Sequence, residues 1–437
     1  MDEQVQAGLT VDSRMDTPWQ VGRSVDASGT ACALHECATA HFVARVCIVT
    51  QLFASAGDHE QWEIMGLWPV RAKPLIPGVR LPVRGRPHRR ITVITALAVR
   101  AERGAQAMNM APLRSPAVLF PGQGSQGPGM GVAWRNDPAW AVVEEAEGAL
   151  GRPLEPMLLS ADSVPTSTTD TQLSVVLCSM MSWKALAPAL AREGGVRPLL
   201  AGHSLGLISA LHAAGVLTVG DTVRIVALRA RLTEAACDGT GGMTALLLGF
   251  DGAAAACADI SGCWVANDNA PTQTVISGKH TSLREAEAAA TALGAGDVIP
   301  LDVAGPFHTP LMHRASEEFL SELGAIPFGR ARAVIVHNGR VHRPGATGPT
   351  AWRGLVAADL TTPVRWRDTQ HALARLGADA VVEAGYGRTL TGLAKRTLGR
   401  VRLYNASAPD VCGSLSELVR ASDNNGAAPP LKTGASS

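Results

Sequence analysis

The chain has 437 residues, of which 46% are apolar and 18% are charged, with a formal net charge of +1. This balance supplies enough apolar surface for a large buried core and excludes a wholly disordered chain. A near-zero net charge and an aromatic content of 4% argue against a globally basic nucleic-acid-binding protein and against a surface that stacks on single strands. We therefore expect no nucleic acid among its partners.

The cellular setting is predicted from features that the sequence lacks. The eight cysteines are scattered along the chain and do not form the spacing of a disulfide framework. The sequence has no run of about 18 uninterrupted apolar residues, so we expect no transmembrane helix. The start Met1-Asp2-Glu3 is not followed by the basic and apolar regions of a signal peptide. We expect a cytoplasmic protein without a membrane partner.

Residues 1–110 show no sustained hydrophobic period, and we interpret them as an N-terminal extension of unknown role. From Arg71 to Arg103 this segment holds nine basic residues and one acidic residue. A flexible basic arm is one interpretation. The other is upstream sequence read from an early start codon, because Met108 and Met110 shortly precede the first well-formed strand.

The same segment contains a short group of metal-ligand residue types, Cys32-x2-His35-x-Cys37-x3-His41. This spacing matches no common zinc module. The sequence therefore predicts no metal site.

From Pro116 onward, apolar strand-like runs alternate with helical stretches. The predicted elements, in chain order, are a strand at 117–120, a helix at 172–187 that ends before Pro188, a strand at 198–201 and helices at 205–214 and 221–236. Such alternation is typical of a parallel sheet covered by helices on both faces.

Between residues 241 and 303 the predicted elements become shorter: strands at 243–248, 274–277 and 298–301, and a helix at 282–293. The α/β pattern then resumes, with a late strand at 380–383. The sequence therefore predicts an α/β fold, with a hydrolase-like parallel-sheet large subdomain and an inserted small ferredoxin-like α+β subdomain. We expect this domain to span 115–420 and to be followed by a disordered tail at 423–437.

The pentapeptide Gly202-His203-Ser204-Leu205-Gly206 matches the pattern G-x-S-x-G between a predicted strand and a predicted helix. In such a turn the glycines permit a tight bend that lifts the serine hydroxyl to a helix N-terminus, where free N–H groups stabilise negative charge. Ser204 is therefore a candidate nucleophile. The alternative is a structural turn with a capping serine.

A serine nucleophile needs a base, and the candidates beyond the elbow are His212, His280, His308, His313, His337, His342 and His371. Among them His308 stands out. It lies in the segment Gly305-Pro306-Phe307-His308-Thr309-Pro310, a loop that follows a strand-like stretch. Loops often present catalytic side chains. The alternative is an ordinary loop histidine.

These motifs, with five others in the same order, resemble the malonyl-CoA:acyl carrier protein transacylase family, which includes the acyltransferase domains of fatty acid and polyketide synthases. The resemblance covers 117–398. The matching segments are 120–126, 202–206, 228–243, 267–278, 305–312, 363–366 and 383–393.

The resemblance implies a role for each matching site residue. Ser204 corresponds to the acylated nucleophile, and His308 to the base and then acid that backbone carbonyls orient in the family. Gln123 and the backbone N–H of Leu205 correspond to the oxyanion hole. Arg229 corresponds to the residue that holds the free carboxylate of the acyl group, for which a guanidinium provides a bidentate fork.

Two further residues are carried over for substrate selection. Gln172 stands where the family often has a glutamine near the acyl pocket. Phe307 precedes His308, and family members with phenylalanine at this position tend to select malonyl over methylmalonyl. Phe307 is equally consistent with an ordinary core residue.

The resemblance implies transfer of a malonyl group from malonyl-CoA to the phosphopantetheine thiol of an acyl carrier protein through a serine ester, without a permanently bound cofactor. A serine thioesterase that uses water and a non-catalytic docking module are the alternatives. The presence of Arg229 and of the Gln123 loop favours transfer. Fatty acid synthesis, a polyketide pathway and a malonate decarboxylase complex all remain open as the pathway.

Overall fold

A computed structural model of the chain describes residues 115–190 and 198–424, together with Leu113 and two short paired strands, Ser24–Val25 (β1) and Ala31–Cys32 (β2). The chain divides into two compact units, Met1–Gln106 and Ala107–Ser437. The other residues of the predicted extension, including 33–41 of the cysteine and histidine group, lie outside the described residues. So do 425–437 of the predicted tail, and the predicted domain boundaries stay predictions.

The second unit contains ten described strands. In chain order they are Pro116–Phe120 (β3), Leu199–Gly202 (β4), Gly241–Leu246 (β5), Cys263–Ala270 (β6), Gln273–Lys279 (β7), Val298–Pro300 (β8), Val334–His337 (β9), Arg340–His342 (β10), Ala380–Ala384 (β11) and Arg402–Ala406 (β12).

The same unit contains twelve described α-helices. They are Ala141–Leu150 (α1), Glu155–Leu159 (α2), Thr168–Leu190 (α3), Gly206–Ala213 (α4), Val219–Ala235 (α5), Phe250–Cys257 (α6), His280–Ala292 (α7), His313–Leu323 (α8), Pro349–Ala358 (α9), Trp366–Arg375 (α10), Thr389–Leu398 (α11) and Pro409–Asn424 (α12).

The large sheet has six strands in the order β10-β9-β4-β3-β11-β12, parallel throughout except for the edge strand β10. Its central strands are apolar on both faces because helices cover both sides. Val118 and Phe120 of β3 pack into the main core with α3 and α4, whereas Ala117 and Leu119 pack against α10 and α11. The predicted parallel-sheet subdomain is confirmed.

The central helix α3 is long and apolar enough to cross a membrane by length and composition, yet 72% of its most apolar window is buried inside the protein. It packs against α5 and α12 as a core helix. The sequence predicts its end before Pro188, but the helix continues to Leu190. A proline in the last turn removes only one backbone hydrogen bond, so the helix tolerates it there.

The small sheet is antiparallel, with the order β6-β7-β5-β8, and α6 and α7 pack on it through their own apolar cluster. Along the chain these elements form the β-α-β-β-α-β pattern of ferredoxin-like folds. The predicted small subdomain is therefore confirmed. Strand β6 was not predicted, because its sequence includes the polar run Asn267-Asp268-Asn269.

Candidate active site

The elbow between β4 and α4 presents Ser204 in a left-handed conformation, with φ of 50°. A Cβ at Gly202 would overlap the backbone of Gly206, and a Cβ at Gly206 would overlap the carbonyl of Phe120. Both glycines are therefore needed for the bend. The backbone N–H of His203 donates to the Phe120 carbonyl across 3.0 Å, which fixes the turn to the neighbouring strand β3.

His308 approaches the serine from the loop after β8, and its φ is also positive, at 59°. Its Nε2 lies 2.8 Å from the Ser204 Oγ, and its Nδ1 lies 3.0 Å from the carbonyl oxygen of Thr362. Since a carbonyl only accepts, the Nδ1 must carry the proton. The free Nε2 lone pair then accepts the hydrogen bond from the Ser204 hydroxyl, which is the geometry of a general base.

Arg229, on α5, also contacts the Ser204 hydroxyl. Its Nη2 donates to the Ser204 Oγ across 3.3 Å, and its Nη1 donates to the Gln172 Oε1 across 2.7 Å. The Gln172 amide in turn donates to the Gln123 Oε1 across 3.5 Å. Hydrogen bonds therefore connect five of the predicted site residues: His308, Ser204, Arg229, Gln172 and Gln123.

Arg229 is a buried cation, only 7% exposed. Burial lowers its pKa to about 10, an effect that the Asp359 carboxylate partly opposes, so the guanidinium remains charged at neutral pH. Among the described residues its hydrogen bonds go to a hydroxyl and an amide and none goes to a carboxylate. A buried, incompletely paired guanidinium favours an anionic ligand.

Comparison with known proteins decides the family. An acyl transferase domain model matches residues 118–425. The malonyl CoA-acyl carrier protein transacylase of Salmonella typhimurium is 36% identical over 292 residues, which are 64% of this chain and 92% of that protein. The chain belongs to the malonyl CoA-acyl carrier protein transacylase family. The family resemblance found in the sequence is confirmed, and the protein is an acyltransferase.

Solved structures of family members share the fold. The acyl-carrier-protein S-malonyltransferase of Burkholderia pseudomallei superposes with a TM-score of 0.65 at 32% identity, covering 70% of this chain and all (100%) of that chain. A malonyl-transacylase in complex with a type II PKS acyl-carrier protein superposes with a TM-score of 0.64 at 31% identity, covering 70% of this chain and 99% of that chain.

The two predicted oxyanion-hole residues of this acyltransferase lie at the same sheet edge. Leu205 is the N-cap of α4. The next two N–H groups, of Gly206 and Leu207, donate to the carbonyls of His203 and Ser204, whereas the Leu205 N–H has no backbone acceptor among the described residues. Gln123 follows β3, and Phe120 of β3 pairs in register with Gly202 of β4. Because the carboxyl ends of adjacent parallel strands meet at one edge, Gln123 and Leu205 belong to the same edge as Ser204. Their role as oxyanion donors stays a prediction.

Phe307 is buried, 8% exposed, within the main apolar core and next to His308. This placement agrees with a pocket wall and equally with a core residue. Its predicted role in selectivity stays a prediction.

The acyltransferase site also contains groups that the sequence analysis did not assign. His203 is buried in the elbow, with its Nε2 2.9 Å from the Asn269 Oδ1 of β6 and its ring edge-on to Trp366 at 5.2 Å. Asp359, 5% exposed, lies in the turn after α9. The elbow motif pointed to His203, but no local signal in the sequence distinguished Asp359 from a surface carboxylate.

The environment keeps the base neutral. Burial is the main cause that lowers the pKa of His308, to about 4; the Asp359 carboxylate opposes this shift, while Arg229 and His203 add to it. At neutral pH His308 is therefore unprotonated, the state that its predicted role as a general base requires.

Proposed function

We propose that this chain transfers a malonyl group from malonyl-CoA to the phosphopantetheine thiol of an acyl carrier protein through an ester on Ser204. The observation that carries the proposal is the buried Arg229 guanidinium, 3.3 Å from the Ser204 Oγ. A malonyl group has a free carboxylate beyond its thioester carbonyl, whereas an acetyl group has none. A cation beside the nucleophile therefore fits an acyl group of the malonyl type.

In the loading step, the Ser204 Oγ attacks the thioester carbonyl and its proton passes to the Nε2 of His308. The carbonyl oxygen becomes an oxyanion, which the Leu205 N–H and the Gln123 amide stabilise; one such donor contributes about 3 kcal/mol. The C–S bond then breaks, and the departing CoA thiolate takes the proton from the imidazolium.

In the unloading step, His308 accepts the proton of the phosphopantetheine thiol, and the sulfur attacks the serine ester. The ester C–O bond breaks, and the Ser204 Oγ recovers its proton from His308. One imidazole thus serves both half-reactions. We place this chemistry in the cytoplasm, and it requires no group beyond the two thioester partners.

Intact-mass spectrometry tests the proposal. Malonyl-CoA should add one malonyl group to the wild type and none to Ser204→Ala. When holo acyl carrier protein is then added, the malonyl group should leave the enzyme and appear on the carrier protein. An adduct that persists on Ser204→Ala would contradict the nucleophile. Rapid release of free malonate without the carrier protein would indicate a hydrolase instead. His308→Ala should slow both steps.

A further inference from the structure

Asp359 is a buried carboxylate whose place in the fold requires an explanation. It is the C-cap of α9, and its side chain is 7% exposed. Among the described residues no donor reaches its Oδ1 within hydrogen-bond distance. The Nε2 of His337 lies 3.6 Å from this oxygen, beyond that distance. A buried carboxylate oxygen without a donor costs stability, which indicates that the residue serves something other than folding.

The turn that begins at Asp359 also holds the catalytic base. The next residue, Leu360, accepts the backbone N–H of His308 across 3.0 Å, and the Thr362 carbonyl accepts its Nδ1–H across 3.0 Å. The carboxylate is therefore fixed to the same short segment as the two atoms that orient the imidazole.

The titratable and charged groups that face this carboxylate come from four elements. His203 belongs to the elbow, Arg229 to α5, His308 to its loop and His337 to β9. Burial lowers the pKa of His308, Arg229 and His203, and the negative charge of Asp359 opposes that lowering in all three. It therefore acts on the base and on the cation beside the nucleophile.

The proposed transfer reaction needs a negative charge near His308. His308 becomes a buried imidazolium in each half-reaction, next to the Arg229 cation. Its Nδ1–H is bonded to a neutral carbonyl and not to a carboxylate. Among the described protein groups, a negative charge that stabilises the imidazolium therefore comes from a carboxylate that is not hydrogen-bonded to it.

We propose that Asp359 is a positioning residue of the transfer reaction, whose carboxylate stabilises the His308 imidazolium that forms when Ser204 is acylated and deacylated. This inference rests on the proposed serine-ester transfer. Asp359 acts through His308 and takes no proton: the proton moves only between Ser204, His308 and the thiol.

The test compares the full-length wild type with Asp359→Asn in two reactions of Ser204. The first is malonyl loading from malonyl-CoA. The second is sulfonylation by phenylmethanesulfonyl fluoride, an uncharged reagent that does not depend on recognition of malonyl. We expect the plateau rates of both to fall about tenfold, as for the loss of one nearby charge. The KM for malonyl-CoA should stay unchanged, and the acid limb of both pH profiles should move to lower pH.

Three further variants separate charge from packing. Asp359→Glu keeps the charge and should restore most of the rate; it also carries the test if Asp359→Asn does not fold. His337→Gln removes the neighbouring imidazole and should keep the wild-type rate. Asp221→Asn, a buried carboxylate on α5 bonded to Thr218, is the matched control and should also react like the wild type.

Wild-type rates in Asp359→Asn would overturn the inference. So would an Asp359→Glu variant that reacts as slowly as Asp359→Asn, or a His337→Gln variant whose rates fall as far as those of Asp359→Asn. Failure of the proposed function looks different. The wild type would then fail to load malonyl, while sulfonylation of Ser204 would still be slower in Asp359→Asn.

Discussion

The hydroxyl of Ser204 accepts a hydrogen bond from Arg229 at 3.3 Å. The same oxygen lies 2.8 Å from the Nε2 of His308, to which it donates. The Ser204 hydroxyl is therefore held between a neutral imidazole and a cation. In the proposed reaction this arrangement links the chemistry at the thioester carbonyl to the selection of the acyl group, because the guanidinium that contacts Ser204 is also the proposed partner of the acyl carboxylate.

The first prediction concerns Arg229→Ala, which should lose malonyl transfer far more than acetyl transfer. Removal of a charged hydrogen-bond partner in a closed site costs about 2–5 kcal/mol, or tens- to thousands-fold in rate. Acetyl lacks the carboxylate and should become the relatively preferred group. Competition between malonyl-CoA and acetyl-CoA, read by intact mass, measures the ratio.

Arg231→Ala is the matched control for this experiment. Arg231 lies on the same helix but is exposed and pairs with Glu322 at 2.8 Å. It should leave the acyl preference unchanged. An equal loss of both acyl groups in Arg229→Ala would show that the guanidinium serves Ser204 alone.

The second prediction is the pH dependence of loading. Because the pKa of His308 is lowered to about 4, the kcat/KM for malonyl-CoA should stay flat far below pH 6.5, the usual histidine pKa, and should fall only near pH 4. In the malonyl-enzyme the acyl carboxylate offsets the Arg229 charge, so the acid limb of unloading should lie at higher pH. Rapid-quench rates against pH measure both limbs. An acid limb near 6.5 in both steps would contradict the neutral buried base.

The third prediction concerns stability. Above pH 6.5 His308 is neutral in both the folded and the unfolded state. Between 6.5 and about 4 only the unfolded state takes up the proton, so the free energy of unfolding decreases as the pH falls. Burial also lowers the pKa of His203, His212 and His342, which adds to the same trend. Denaturant titrations of wild type and His308→Gln should show a shallower acid decrease in the variant.

The fourth prediction concerns the ring of Phe307, the predicted wall against an α-methyl substituent. Phe307→Ser should increase the use of methylmalonyl-CoA relative to malonyl-CoA. One methyl group in an apolar pocket is worth about 1–3 kcal/mol, or roughly 10- to 200-fold. A competition assay measures the ratio, with a thermal melt to confirm folding. If the ratio does not change, Phe307 is a core residue only.

The fifth prediction concerns the N-terminal segment. A chain that begins at Met108 should fold and transfer malonyl at the full rate, because the family match begins at residue 118 and the site residues all follow it. A chain that begins at Gln123 lacks β3, whose five residues are all buried in the centre of the large sheet, and it should not fold. Loss of soluble protein from the Met108 chain would show that residues before it belong to the fold.

The sequence predicts the parts of the structure that depend on local pattern. The apolar run of β3 and the helical period of α5 are recognisable in isolation, because burial on both faces or on one face leaves a distinct hydrophobic pattern. Strand β6 is not recognisable in isolation, because its buried polar side chains pair with residues far along the chain. Asp268 forms an ion pair with Arg367 at 2.9 Å, and Asn269 forms a hydrogen bond with His203. Such partners exist only in the folded chain.

The residues of the candidate site also differ in whether a local sequence pattern identifies them. Ser204 carries a local signature because its strained backbone needs glycines on both sides. The family resemblance, and no property of the helix itself, singles out Arg229 from its neighbours. The atoms that orient His308 are backbone carbonyls, which any residue could supply, and Asp359 reaches the site only through the turn after α9. The carbonyl groups that orient His308 and the position of Asp359 in the site could not be predicted from residue type.

The contact between His203 and Asn269 has a consequence for protein engineering. It ties the elbow of the large sheet to strand β6 of the small sheet, and Asp268 of that strand also donates its N–H to the Val364 carbonyl across 2.9 Å. A chimaera that exchanges only the small subdomain would have to rebuild both contacts across a new junction. Grafts intended to alter acyl selectivity should therefore transfer β6 together with the elbow and the segment around Val364, as one block.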